Sequence, residues 1–325
     1  MGATAAGALV TGAQLSAGER FRRWRRKHRD AIESWVILAP ILLYYSIFFL
    51  FPVIANTYVS FTQWNGIVGL PKWVGLSNYR AYLTDPYPLT VFNTVLFASV
   101  ILVLQTVVAF FIAVILNEKV RGRGVYRALW YVPTLTSAAV TAQVMFAFIS
   151  PYDGVLNAIL KAMGQPIVIW LLNGHWMRAF IIVYSVWRGV GGPVVLFLAA
   201  LQGIHREVYE AAMVDGASWG KLLRHITWPL LRPMTVFILI TGTIGGFQIF
   251  ETVMLISAGG QANVASTGGP RGMTNVMLLQ IYKDAFGGFD LGRAAAGSMV
   301  MALILLWFSM WNMRVLSRGY ISEKQ

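Results

Sequence analysis

The chain has 325 residues, 57% of them hydrophobic, a formal charge of +13 and no cysteine, with a mean hydropathy of +0.62. Such a composition excludes an ordinary soluble domain and makes lipid the solvent, while the lack of cysteine excludes disulfides, thiolate metal sites and cysteine nucleophiles. The positive charge argues for a membrane surface rather than nucleic acid, because much of it lies in the N-terminal tail and between apolar runs.

Lipid offers backbone groups no water, so spans are helices or closed barrels, and these apolar runs lack the alternation of barrel strands. The fold expected is therefore an all-α integral membrane protein. Residues 1–33 read as a cytoplasmic basic tail, rich in Ala, Gly and Thr before a basic stretch at 20–29. The apolar run from Trp35 is too long for a signal-peptide core and is retained as a span. Six segments suffice to cross about 30 Å of hydrocarbon at about 1.5 Å per residue: 35–60, 91–117, 127–149, 177–201, 233–257 and 295–316. Pro52, Pro133 and Pro193 fall inside them as tolerated kinks. The membrane domain thus covers 34–318, followed by a short cytoplasmic tail at 319–325.

Cations set the orientation. They concentrate in the tail, around Lys119 to Arg127, in 206–232 and at the C-terminus, which the positive-inside rule assigns to the cytoplasm together with both chain ends. Trp64, Trp73, Tyr79, Tyr82, Tyr87, Trp170 and Trp176 then occupy outer loops as interface anchors. The stretch 257–272, rich in Gly, Ala and Ser, reads as a flexible outer loop.

The most informative stretch is the cytoplasmic segment 204–232. Residues 207–215 suit a short helix in which Ala211 and Ala212 permit close approach; Gly216 ends it, and Pro229 and Pro233 bound the return to the membrane. Glu210-Ala211-Ala212, Asp215-Gly216-Ala217, Ile226, Pro229 and Pro233 together resemble the signature of permease subunits of binding-protein-dependent ABC importers. The resemblance extends to 74–79, Asn93-Thr94, 268–270, Tyr282, Ala285-Phe286 and 290–292, and it points to the carbohydrate-importing branch that includes the maltose and glycerol-phosphate permeases. His205, Leu223 and Trp228 depart from that branch's usual proline, phenylalanine and leucine. The resemblance implies a six-transmembrane-helix ABC importer permease fold with a cytoplasmic coupling helix at 207–219 that sits on a separate ATPase, with Glu207, Glu210, Ala211, Ala212, Asp215, Gly216 and Ala217 as coupling residues. Two roles for Glu210 stay open, contact with the ATPase and orientation of its own loop. The competing reading is an amphipathic helix lying on the membrane.

A solute path is suggested by two stripes. In the fifth span Thr241, Gly245, Gln248 and Thr252 recur on one helical face, and in the fourth Ser185, Arg188, Gly189 and Gly192 do the same. Arg188, near the middle of its run, calls for a carboxylate, carbonyl or wet cavity, and Glu251 is the candidate partner; an Arg188–Glu251 pair and direct solute contact are equal alternatives. The glycines suit close helix packing as well as a cavity. By resemblance, the maltose permease lines its sugar site at positions matching Arg188, Gly189, Gly192, Thr241, Gly245 and Gln248, with different side chains. Gln248 and Thr241 are expected to hydrogen-bond hydroxyls, and Trp187 or Phe247 to offer an apolar face.

The function expected from these residues and their resemblance is a non-catalytic permease subunit in a bacterial or archaeal cytoplasmic membrane. Its partners would be a second permease, two ATPase subunits, an extracytoplasmic solute-binding protein, membrane lipid and a carbohydrate, with a phosphorylated polyol such as glycerol phosphate as the alternative cargo. No Walker A pattern occurs, so ATP and Mg are assigned to the ATPase subunits, and no metal or other cofactor to this chain. A secondary transporter is the rival class, though it leaves the coupling signature unexplained; a membrane enzyme lacks a coherent set of carboxylates, histidines or metal ligands.

Overall fold

The computed structural model describes Gly18 and residues 29–84, 86–118, 121–258 and 267–321. Apart from Gly18, the expected basic tail up to residue 28 lies outside the described residues, as do Lys119 and the last four residues. The chain divides into two compact units, 1–56 and 57–325.

In the first unit α1 (Arg29–Tyr45) runs into a π-turn at Ser46–Leu50, where the Phe51 N–H reaches the Ser46 carbonyl, and then into α2 (Phe51–Ser60). The wider turn immediately precedes Pro52, whose ring would strike the carbonyl four residues back in a regular helix. Residues Glu33–Ser60 form one continuous apolar segment long enough to cross a membrane.

The second unit begins with the last residues of α2, from Thr57, and continues with β1 (Thr62–Gln63) paired antiparallel to β2 (Lys72–Trp73), then α3 (Ser77–Ala81). At its centre is α4 (Tyr87–Asn117), 31 residues, or about 46 Å at 1.5 Å per residue. Small and hydroxyl residues line its buried face, among them Thr94, Ala98, Thr106, Ala109 and Ala113; they let neighbours approach closely, and the hydroxyls of Thr94 and Thr106 bond back to Thr90 and Leu102 carbonyls at 2.7 Å. Packed against α4 are α8 (Gly174–Gly189), α9 (Gly191–Gln202) and α13 (Arg232–Phe247). Phe110, Phe197, Leu198 and Leu231 centre one core; Phe97, Ile181, Tyr184 and Val253 centre a second.

The expected third span is two helices, α5 (Arg123–Leu135) and α6 (Ala138–Ile149), bent by 102° at Thr136–Ser137. Neither half is a full crossing, since 13 and 12 residues reach only about 20 Å and 18 Å. Pro133 initiates the break by removing a hydrogen bond one turn before the extended residue Thr136. After α7 (Val155–Ala162), the expected fourth span is α8 and α9 joined at a 43° bend. Pro193 sits in the first turn of α9, where its missing N–H costs little, and side chains take up carbonyls beside the bend: Gln105 Nε2 donates to Ser185 and Thr134 Oγ1 to Arg188, each at 2.8 Å.

The segment between spans holds α10 (Arg206–Val214), α11 (Trp219–Leu222), a π-turn at Leu223–Thr227 and α12 (Trp228–Leu230), after which the chain bends by 63° into α13. The expected fifth span is likewise interrupted: α13 stops at Phe247, and α14 (Glu251–Ser257) begins after three irregular residues. A 3₁₀ turn at Pro270–Gly272, α15 (Met277–Tyr282), a π-turn at Lys283–Gly287 and α16 (Leu291–Ile321) complete the chain. Among the described residues three helices are long and apolar enough to cross a membrane, and six segments are if each bent pair counts as one.

Candidate functional site

The break between α13 and α14 opens a cavity of about 310 Å³ whose walls include Gln105, Ser185, Arg188, Gly189, Gly245, Gln248, Phe250, Glu251 and Thr252. Irregular backbone at membrane depth is tolerated where it lines a cavity, and Gln248, Ile249 and Phe250 are that backbone here. Four of the six expected pathway residues, Arg188, Gly189, Gly245 and Gln248, therefore share one wall system. Thr241 and Gly192 are not among the lining residues: Thr241 is exposed and its hydroxyl donates to the Phe237 carbonyl at 2.8 Å, while Gly192 lies past the 43° bend that rotates the stripe.

Arg188 and Glu251 both line the cavity, but among the described residues they form no ion pair within 4.0 Å. Ser185 Oγ and Arg188 Nε are buried without a hydrogen-bond partner in the protein, an arrangement costing about 1–3 kcal/mol per group unless a polar molecule meets them. Gln248 and Glu251 are exposed, so the cavity opens onto the surface of the chain. The expected aromatic platforms are elsewhere. Phe247 is 3% exposed and packs on Phe308 with ring centroids 5.0 Å apart, and Trp187 belongs to a wholly apolar cleft with Trp170, Trp176 and Phe180. Phe250 is the ring that reaches the cavity. Gln105 was not anticipated, because it comes from α4 and no local pattern links it to Ser185.

On the expected coupling segment, α10 ends in a tightly determined cap. Gly216 N–H donates to Met213 at 3.0 Å and Ala217 N–H to Ala212 at 2.9 Å, with Gly216 at φ +77°. This is a Schellman closure, which needs a residue free to adopt the left-handed region. The Ala212-x-x-Asp215-Gly216-Ala217 spacing is thus the chemistry of a helix stop. Glu207, Glu210, Ala211, Asp215 and Gly216 are exposed, and so are apolar Val208, Met213 and Trp219, with Val214 88% exposed. Glu210 lies 2.9 Å from Arg206 one turn earlier in an exposed ion pair, which orients the helix surface and contributes little stability. The Tyr209 hydroxyl lies 3.2 Å from that of Thr227, tying α10 to the chain returning toward the membrane.

At the opposite end of α4 the structure holds a polar latch that composition concealed. Asn93, fully buried, donates to the carbonyls of Gly272 at 3.0 Å and Asn275 at 2.9 Å and accepts from Arg178 Nη2 at 2.8 Å. Arg178 Nη2 also donates to the Met273 carbonyl at 2.7 Å, and Thr94 Oγ1 accepts from the Met277 N–H at 2.8 Å. The described part of the expected flexible loop, from residue 267, is therefore pinned; residues 259–266 lie outside the description. Tyr82 and Tyr87, expected at the interface, are buried, with ring centroids 4.1 Å apart. Tyr87 donates to Asp284 Oδ2 at 2.9 Å and Gln280 Nε2 to Oδ1 at 2.9 Å. Burial pushes the Asp284 carboxyl above its ordinary range, raises the Tyr82 phenol and lowers the Lys283 ammonium, which donates to the Thr267 carbonyl.

No protein-family model matches the sequence. A lactose transport system permease protein of Rhizobium radiobacter is 33% identical over 261 residues, 78% of this chain and 84% of that protein. A probable ABC transporter permease of Bacillus subtilis is 31% identical over 89% of this chain and 92% of its own length, and a trehalose/maltose transport system permease of Thermococcus litoralis is 32% identical over 85% and 90%. The chain belongs to the ABC importer permease family, in the branch that holds the carbohydrate permeases. A solved chain of a bacterial ABC transporter importing the acidic polysaccharide alginate has the same fold, with a TM-score of 0.77 at 23% identity over 91% of this chain and 99% of that one. A second structure of a bacterial alginate transporter, in complex with a pentasaccharide-bound periplasmic protein, matches with a TM-score of 0.76 at 20% identity. The permease fold of this chain carries a cavity at the α13–α14 break and an exposed, capped α10.

Proposed function

We propose that this permease is one of two membrane subunits that enclose the solute path of an ATP-driven carbohydrate importer. The observation that carries the reading is the cavity at the α13–α14 break, where buried Ser185 Oγ and Arg188 Nε have no partner in the protein and Gln105, Gln248 and Glu251 stand around them. Hydroxyl groups satisfy all of these, accepting from Arg188 and the amides and donating to Glu251. The names of the relatives, lactose and trehalose/maltose systems among them, support a sugar. A phosphorylated polyol is the second reading, favoured by Arg188 and by a glycerol-3-phosphate permease 28% identical over 89% of the chain; Glu251 in the same wall weighs against an anion.

In this reading the open side of the cavity is closed by the second permease, and α10 docks on an ATPase subunit through the exposed residues among 207–217. The end that carries α10 faces the cytoplasm, as do both chain ends, and the latch around Asn93 faces the solute-binding protein outside. ATP and Mg bind the ATPase pair, and nucleotide-driven closure moves the coupling helices. Shifting the path from 1:99 to 99:1 takes about 5.5 kcal/mol of differential binding, which the ATPases supply.

The test is ATP hydrolysis by the reconstituted complex of two permeases, two ATPases and binding protein, across neutral sugars and phosphorylated polyols. One neutral sugar is expected to stimulate hydrolysis, and Asp215→Lys is expected to abolish that stimulation while the complex still assembles. Stimulation by a phosphorylated polyol alone selects the second reading. Failure of the chain to associate with its cognate ATPase overturns the importer assignment.

A further inference from the structure

Arg123 and Arg127 stand one turn apart on α5, and both reach Gln202 at the end of α9. With the Gln202 amide oxygen turned toward them, Arg127 Nη2 donates at 2.8 Å and Arg123 Nη2 at 3.2 Å; the oxygen/nitrogen choice follows from the bonds it satisfies. Arg123 Nη2 also lies 3.4 Å from Asn117 Oδ1. Both acceptors are neutral. Among the described residues neither arginine makes an ion pair, neighbouring Glu118 included, and the Nε of each is buried without a hydrogen-bond partner.

Guanidinium groups stay charged in proteins, so neutral amides alone leave this pair uncompensated. The C-terminal end of α9 offsets a part, because helix C-termini favour cations, but it supplies no full counter-charge. A phosphate does, since its oxygens match two adjacent guanidinium forks. The rest of α5 indicates where such a phosphate comes from. On its outward flank Val125, Leu129 and Val132 are exposed, while Arg123, Arg127, Trp130 and Thr134 recur at helical spacing on the half-buried side, and the chain turns through 102° at its end. α5 runs back along α9, with Arg123 and Arg127 beside Gln202 where the fourth span ends and Trp130 and Tyr131 beside Gly191 at the other end of α9, so the arginine pair lies at the end of a span, the depth at which phospholipid headgroups lie. Asn117 lines a second cavity together with Arg206 and Tyr209 of α10, which places the arginine pair near the coupling segment.

We propose that Arg123 and Arg127 form a binding site for a phosphate group beside the coupling helix, filled by the headgroup of an anionic phospholipid, with free phosphate as the other source of the same chemistry. The inference does not depend on the transported solute. It is tested on the purified full chain by native mass spectrometry from micelles doped with equal amounts of phosphatidylglycerol and phosphatidylcholine, and in lipid-free detergent with inorganic phosphate. Wild type is expected to retain phosphatidylglycerol roughly tenfold over phosphatidylcholine. Arg123→Gln/Arg127→Gln is expected to lose that preference. Gln202→Glu is the decisive variant: it hands the arginines an internal carboxylate, so it is expected to keep or raise the melting temperature while abolishing the lipid preference. Inorganic phosphate binding to wild type and not to Gln202→Glu, without lipid preference, assigns the site to free phosphate. Equal retention by wild type and Gln202→Glu, or binding of neither probe to wild type, overturns the proposal.

Discussion

Asp284 is buried outside the membrane-spanning segments, and burial is the largest influence holding its proton. The bonds from Tyr87 and Gln280 and the charge of Arg293 oppose that influence, and Asp290 reinforces it. The folded carboxyl therefore keeps its proton at pH values where the unfolded chain has released it. The sign follows from linkage: the contribution is fully present below the unfolded carboxylate's pKa and is lost as pH rises through the raised folded value. Melting temperature measured in detergent across that window should fall with rising pH in wild type and be flatter in Asp284→Asn; parallel curves would refute this. Nothing in the sequence marked Asp284, since a single acid in an outer loop looks solvated until Tyr87, 197 positions away, is brought against it. Arg188, Gly245 and Gln248 were legible because a polar or small residue recurring in an apolar helix declares a face. Gln105 and Phe250 were not, one arriving from another helix and the other from a break in the helix.

Among the elements, α10 was the most legible, because its stop signal is local chemistry: Ala212, Gly216 and Ala217 carry their meaning in sequence order. Gly216→Val forces a β-branched residue to φ +77°, which costs about 1–2 kcal/mol and unwinds the cap. The expected outcome is loss of ATPase stimulation in the assembled complex with the permease's melting temperature shifted by no more than a few degrees. A melting collapse would instead make the cap part of the membrane fold. The kinks expected at Pro52, Pro133 and Pro193 carried no angle, because hydropathy reports lipid compatibility and not direction. Pro133 marked a weak point, but the 102° turn is made by Thr136 and Ser137, which carry no breaker signature. Gly191 shows the complementary constraint: a Cβ there would meet the backbone of Trp130 and Tyr131, so the crossing of α5 and α9 depends on the absence of a side chain.

Across the second unit as a whole, the latch around Asn93 joins α4, α8 and the segment entering α15. Asn93→Ala takes the amide away from the Gly272 and Asn275 carbonyls and leaves Arg178 with the Met273 carbonyl alone, and the expected loss is about 1–3 kcal/mol, the range for removing one partner of a buried hydrogen bond. Hydrogen exchange at 267–277 should accelerate while the core around Phe110 and Phe197 stays protected; unchanged exchange at 267–277 would show that the latch is dispensable. By itself the sequence determined the solvent, the helical class, the family and the helix stop at Gly216, because apolar run length, a spaced motif and a capped turn are encoded by neighbours along the chain. The tertiary structure alone decided which polar groups meet. Asn93 with Arg178, Tyr87 with Asp284, Gln105 with Ser185 and the arginine pair with Gln202 are partnerships between distant segments, and side chains buried from solvent must find partners wherever packing, and not sequence order, brings them.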